Sequence, residues 1–165
     1  DKANETQLAE ALRAQKRLRA LHFACHGLID EKRPLFSSLA LSRSKDTDGF
    51  LTSLEILDLD LDLDLVTMSA CETARGKTYE TDGVMGLTRT FLIAGAPRVI
   101  CSLWPVDDES SRALMVKFYE LWNPKEGKGL GAAEALKQAQ AHVAAQPKWK
   151  HPYYWGAWVL WGLPE

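Results

Sequence analysis

The run Val66-Thr67-Met68-Ser69-Ala70-Cys71-Glu72-Thr73-Ala74-Arg75-Gly76 decides the fold. With Leu65 before it, the run opens as a buried strand and stops abruptly at small and polar residues around one cysteine. Cys71 therefore falls at the carboxyl end of a strand, where open α/β sheets place their chemistry. Upstream, Leu21-His22-Phe23-Ala24-Cys25-His26-Gly27 has the same form, a hydrophobic strand that ends in His-Gly. Two strands of one sheet, one tipped by His26 and the other by Cys71, make a cysteine–histidine site.

Working outward, residues 4–16 read as a helix capped by Asn4 or Thr6, with Leu8, Ala11, Leu12 and Gln15 along one face. The first strand spans roughly 18–25. Beyond the polar loop Asp30–Pro34, Ser38–Ser42 is extended, and Phe50-Leu51 returns as a hairpin arm after the turn at 44–49. Thr52 or Ser53 caps a short helix over Leu54–Leu57. Asp58–Asp64 then alternates strictly between acid and leucine. Four acids at every second position suggest calcium, but the tight glycine turn and terminal bidentate carboxylate of such loops are missing. The run reads as a solvated acidic face on an extended connector.

On the other side of Cys71, Asp82 caps a helix over 83–94, whose stripe is Val84, Leu87, Phe91 and Ala94; Gly95-Ala96-Pro97 ends it. Arg98–Leu103 is the next buried strand. The loop Trp104-Pro105-Val106-Asp107-Asp108 leads into a helix over 109–122, with Leu114, Phe118 and Leu121 or Trp122 as its core. A last helix over 130–145 carries Leu130, Ala133, Leu136, Gln140 and Val143, and Trp155–Trp161 makes a final aromatic strand. Strands alternating with helices of this length point to a largely parallel sheet covered on both faces, in one domain.

Composition restricts the function classes. The chain has 165 residues, 46% hydrophobic and 25% charged, with a net charge of -2, so neither nucleic acid nor an anionic membrane is expected as the main partner. No apolar run reaches the ~18 residues of a transmembrane helix. Three cysteines without framework spacing fit free thiols in a reducing, cytoplasmic compartment. The first residue is Asp rather than Met, so the chain is expected to be a piece of something longer.

A nucleophilic cysteine works as its thiolate, and His26 can take or return the proton. Gly27 has no side chain to block its N–H, which together with the N–H of Cys71 can hold a developing oxyanion. Cysteine at a strand end is often merely buried, and His-Gly is often just a turn; it is the pairing of the two strand tips that carries the catalytic reading. Alternation puts His22, Ala24 and His26 on one face, so Cys25 points away from His26 and Cys101 lies mid-strand; both read as inert. The same alternation splits His22, Cys25 and His26 as metal ligands, and neither a metal nor any other cofactor is expected.

Phe23-Ala24-Cys25-His26-Gly27 and Ser69-Ala70-Cys71-Glu72-Thr73 resemble the histidine and cysteine motifs of the CHAT domain, a family of caspase-like cysteine peptidases related to caspases and separases. The likeness continues through Gly83–Leu87, Ala94-Gly95-Ala96, Ser102-Leu103-Trp104, Val106-Asp107-Asp108, Phe118-Tyr119 and Tyr154–Trp158, covering nearly the whole chain.

The resemblance implies a caspase–hemoglobinase sheet, hydrolysis of peptide bonds in a protein substrate, and a His26/Cys71 dyad whose histidine protonates the leaving amine. It implies that the loop from Trp104 to Asp108 helps line the pocket for the residue before the scissile bond. There Asp107 either selects a basic side chain or caps the following helix. Asp82 is more naturally a cap than a second specificity acid. A complete family domain carries about two more strands and a helix before residue 1, so the edge of the His26 strand is expected to be open. Helical repeats upstream often control family members, which act in bacterial immunity and cell death among other roles. The rival is a catalytically silent interaction or scaffold domain, against which the presence of both His26 and Cys71 argues.

Overall fold

The computed structural model describes residues 3–15, 17–30, 32–69, 81–123 and 127–165, and leaves the side chains of 81–84 aside. Helix α1 (Glu5–Ala14) starts where Asn4 Oδ1 accepts the N–H of Gln7. It rests Leu8 and Leu12 on the core. Strand β1 (Leu18–Phe23) follows, then β2 (Gly27–Leu28), β3 (Ser38–Ala40) and β4 (Phe50–Thr52). These last three form a small antiparallel sheet in the order β2-β3-β4. The expected hairpin is present as β3 and β4. The sequence reading passed over β2, whose two residues are too short for a periodic signal.

Helix α2 (Ser53–Leu57) opens with a full capping box: Thr52 accepts the Glu55 N–H, and the Glu55 carboxylate accepts the Thr52 N–H. The acid–leucine run follows, ending in β5 (Leu63–Met68). Leu61 and Leu63 are buried while Asp58, Asp60 and Asp62 face solvent, as alternation requires. Asp64 departs from the expected solvated face. Its carboxylate is largely covered and takes both Arg17 and Arg19.

Helix α3 (Thr81–Ile93) begins earlier than expected, so Asp82 lies inside its first turn rather than before it. It ends at Gly95, whose φ of 114° suits only glycine; a Cβ there would stand 2.6 Å from the Leu61 carbonyl oxygen. Strand β6 (Arg98–Ser102), helices α4 (Asp108–Trp122) and α5 (Ala132–Ala144), and β7 (Trp158–Gly162) complete the chain. Along α5 the buried stripe is Ala132, Ala135, Leu136, Ala139 and Val143. The helix starts after Leu130, so Leu130 and Ala133 fall off the predicted face. Gln140 is half-buried because its amide donates to the carbonyls of Trp155 and Trp158, fixing the entry to β7.

The main sheet has the order β1-β5-β6-β7. β1, β5 and β6 are parallel, and β7 runs antiparallel along β6. One core lies under α1, α2 and α3 and includes Val66, Met68, Leu87, Phe91 and Cys101. The other lies under α4 and α5 and includes Leu65, Ile100, Phe118, Leu136 and Trp158. The alternation Leu65/Val66 in β5 and Ile100/Cys101 in β6 feeds these two cores from opposite faces. This is the α/β sheet with helices on both faces that the sequence implied. Among the described residues, β1 is an outer strand of the main sheet.

Candidate active site

The parallel register aligns the carboxyl ends of β1 and β5, pairing Phe23 with Met68. Beyond it, the Ser69 N–H donates to the Phe23 carbonyl at 3.0 Å, and the Ser69 hydroxyl donates to the same oxygen at 3.4 Å. The two strand tips are thus tied one residue past the last sheet pair. Phe23 turns inward against Phe91, with ring centroids 5.5 Å apart, while His22, Ala24 and His26 are exposed on the other side.

After His26 the chain enters β2. The Ala40 N–H donates to the His26 carbonyl at 2.8 Å, and Gly27 lies opposite Leu39. Residues along an antiparallel pair alternate between hydrogen-bonded and non-hydrogen-bonded positions. With His26–Ala40 bonded, Gly27–Leu39 is the non-bonded pair, so the Gly27 N–H is directed away from β3.

His22, Ala24, Cys25 and His26 run along a cleft of about 960 Å³ between the end of β1 and α4, so Cys25, expected to point away from His26, also borders it. Its other wall is apolar, built from Val106, Met115, Val116, Tyr119 and Trp158. Charge sits where Asp108, Arg112 and Glu120 line it. Positions 108, 112, 115 and 119 recur at helical spacing, so one face of α4 supplies most of this wall.

At the bottom, the Tyr119 hydroxyl lies 3.1 Å from His22 Nδ1 and 3.0 Å from Thr67 Oγ1. The protein packed around these groups pushes the His22 pKa down, although part of the ring is open to the cleft. The same burial raises that of Tyr119, partly offset by its bond with Thr67.

Burial disfavours the thiolate at both described cysteines. Burial pushes the Cys25 thiol up to about 11 and raises that of Cys101, which is almost wholly covered in the β6 core. Among the described residues no three of His, Cys, Asp and Glu gather to hold a metal, and no helix is long and apolar enough to cross a membrane.

Of the residues singled out in the sequence, His26 lines the cleft and Gly27 follows it in β2. Cys71 lies outside the described residues, and so does the side chain of Asp82. Asp107 is the N-cap of α4: its Oδ1 accepts the Ser110 N–H at 2.9 Å. Its neighbour Asp108 is the acid that lines the cleft. Trp104 is partly buried and its indole N–H donates to the Tyr153 carbonyl at 3.1 Å. Missed in the sequence were His22, Arg112, Met115, Tyr119 and Glu120. The signal was available in the alternation of 22, 24 and 26 and in the helical spacing of 108, 112, 115 and 119.

The family model described as CHAT domain matches residues 1–163. Tetratricopeptide repeat protein 28 of Homo sapiens is 38% identical over 113 residues, 68% of this chain, and the protein of the same name from Mus musculus is 37% identical over the same length. The chain spans about 4% of the length of these relatives. Among solved structures, the Saccharomyces cerevisiae separase–securin complex at 2.6 Å resolution matches 98% of this chain and 9% of that one, with a TM-score of 0.59 and 20% identity. The 3.0 Å structure of that complex matches 70% of this chain and 7% of its own, with a TM-score of 0.51 and 22% identity. These likenesses establish a fold shared with separase.

Proposed function

The chain belongs to the CHAT domain family, and from that premise we propose that it is the cysteine endopeptidase unit of a larger protein. The observation that carries the reading is the register of β1 and β5. Phe23 pairs with Met68, His26 follows Phe23 by three residues, and Cys71 follows Met68 by three. Two parallel strands tied at Phe23 and Ser69 end at one edge of the sheet, and the residues that follow them in sequence, His26 and Cys71, are proposed to meet there.

In this mechanism the Cys71 thiolate attacks the scissile carbonyl, forming a C–S bond and an oxyanion held by the N–H groups of Gly27 and Cys71. The Gly27 N–H, directed away from β3, is proposed for that role. Collapse breaks the C–N bond as His26 delivers a proton to the leaving amine. Water, deprotonated by His26, then hydrolyses the thioester and restores the thiol. Burial, which pushes the Cys25 thiol up to about 11, disfavours a rival thiolate beside His26.

The loop from Trp104 to Asp108 is the proposed wall for the residue before the scissile bond. One oxygen of Asp107 caps α4, and Oδ2 is the atom proposed to meet a basic side chain there, with Asp82 as a second acid. The mammalian relatives are named for tetratricopeptide repeats, and helical repeats elsewhere in the full protein are the proposed regulators, in a reducing compartment such as the cytoplasm.

Incubation of a diverse peptide mixture with the chain and with Cys71→Ala, read by mass spectrometry, tests the assignment. Cuts are expected with the first and none with the second. Identical cutting by both refutes the nucleophile. An intact mixture from the chain, and from a longer form including the region upstream, favours a scaffold.

A further inference from the structure

Thr67 fixes the protons of the cleft. Its side chain is fully buried, and the Tyr119 hydroxyl is its hydrogen-bond partner. A buried hydroxyl proton must be placed on an acceptor. With Tyr119 its partner among the described residues, the Thr67 proton is assigned to the Tyr119 oxygen. The Tyr119 proton is then assigned to His22 Nδ1, which accepts it when bare. A neutral imidazole then carries its proton on Nε2. In this assignment His22, which lines the cleft, carries its proton on the nitrogen not bonded to Tyr119, a placement assigned from the hydrogen-bond network.

The cleft also holds two carboxylates, Asp108 and Glu120, against one cation, Arg112, around apolar walls. A side chain matched to these groups has a methylene stem, an acceptor for His22 and a donor for the acids. A carboxamide supplies both; a lysine or arginine tip offers only donors and leaves the His22 N–H facing another donor. A carboxylate meets the acid excess. His22 and His26 line the same cleft, so the side chain bound here belongs to a substrate residue near the scissile bond.

Resting on the peptidase reading for its substrate, we propose that His22, oriented by Tyr119 and Thr67, is a specificity residue that accepts a glutamine side chain of the substrate into the cleft. Glutamine at one position near the cut is then favoured over lysine and arginine by roughly tenfold, the worth of one well-made hydrogen bond. Tyr119→Phe keeps the ring but removes the hydroxyl that pins the tautomer. It is expected to abolish the preference for glutamine over lysine and arginine at this position.

Two measurements test the proposal separately from the peptidase reading. Long-range proton–nitrogen NMR of the His22 ring is expected to show a bare Nδ1 in the chain and a mixed tautomer in Tyr119→Phe. A protonated Nδ1 in the unaltered chain overturns the proposal. Library cleavage by the chain and by Tyr119→Phe then reads the preference, and an unchanged profile overturns it. If Cys71-dependent cutting is absent, the peptidase reading has failed, and titration with a capped glutamine peptide and its lysine counterpart decides. Shifts at His22 with glutamine alone support the subsite, and equal or absent shifts refute it.

Discussion

Thiol chemistry gives the sharpest test of how this fold distributes reactivity. Only the thiolate is alkylated at an appreciable rate, so rate tracks the fraction deprotonated. Cys25 follows the buried Phe23, is partly buried against the core under α1, α2 and α3, and also borders the cleft. Burial moves its pKa from 9.0 to about 11. Two units of pKa cut the thiolate fraction about a hundredfold at any pH well below both values, relative to an unstructured cysteine. Cys101 is 1% exposed and raised in the same direction, so it is shielded by access as well. Iodoacetamide at pH 7.5, followed by digestion and mass spectrometry of each cysteine peptide, measures all three thiols in one experiment. Cys25 is expected to react about a hundredfold more slowly than the same peptide unfolded in urea, with Cys101 slower still and Cys71 the fastest of the three. Labelling of Cys25 at the unfolded rate would refute the claim that the β1 end is packed as described, and with it the claim that one thiol serves the site.

Two further outcomes concern the frame. Gly162 has a φ of 93°, and a Cβ there would stand 2.3 Å from the Pro97 carbonyl oxygen; Gly162→Ala is expected to lower the stability measured by urea unfolding by at least ~1–3 kcal/mol, and an unchanged midpoint contradicts it. Burial raises the Asp64 pKa, but the Arg17 and Arg19 guanidiniums outweigh it and hold the carboxyl below its usual value. The stability from this network is therefore complete above the ordinary carboxyl pKa of 3.8 and is lost as pH falls through the lowered folded value. Asp64→Asn removes about 1 kcal/mol at neutral pH, since both arginines remain largely exposed, and its deficit relative to the unaltered chain shrinks in acid; a deficit that persists in acid would contradict this sign.

What the sequence revealed, and what it hid, follow from the range of the interactions involved. Strands such as Leu63–Met68 and Arg98–Ser102 are apolar on both faces because helices cover both, so their position is written in consecutive residues. Helix starts were legible where one side chain does the capping, as at Asn4, Thr52 and Asp107. The stripe of α5 was misjudged at Leu130 and Ala133 because its phase depends on where Gly131 lets the helix begin. β2 was invisible because two residues have no period, and it exists through pairing with Leu39 and Ser38.

The site divides in the same way. His26 and Gly27 announce themselves because a strand ends there in a titratable residue and a bare backbone. Tyr119 does not, since on α4 it reads as one more aromatic beside Phe118 and Trp122. Its meaning comes from Thr67 and His22, 52 and 97 residues away in sequence, which the parallel pairing of β1 with β5 places under one hydroxyl. The register pairs His22 directly with Thr67, so a single phenol on the covering helix can bridge neighbouring strands. In the proposed network, proton placement on His22 depends on the sheet register. A change in the packing of α4 on β1 and β5 would therefore alter what the cleft can bind before it altered the strand tips that carry His26 and lead to Cys71.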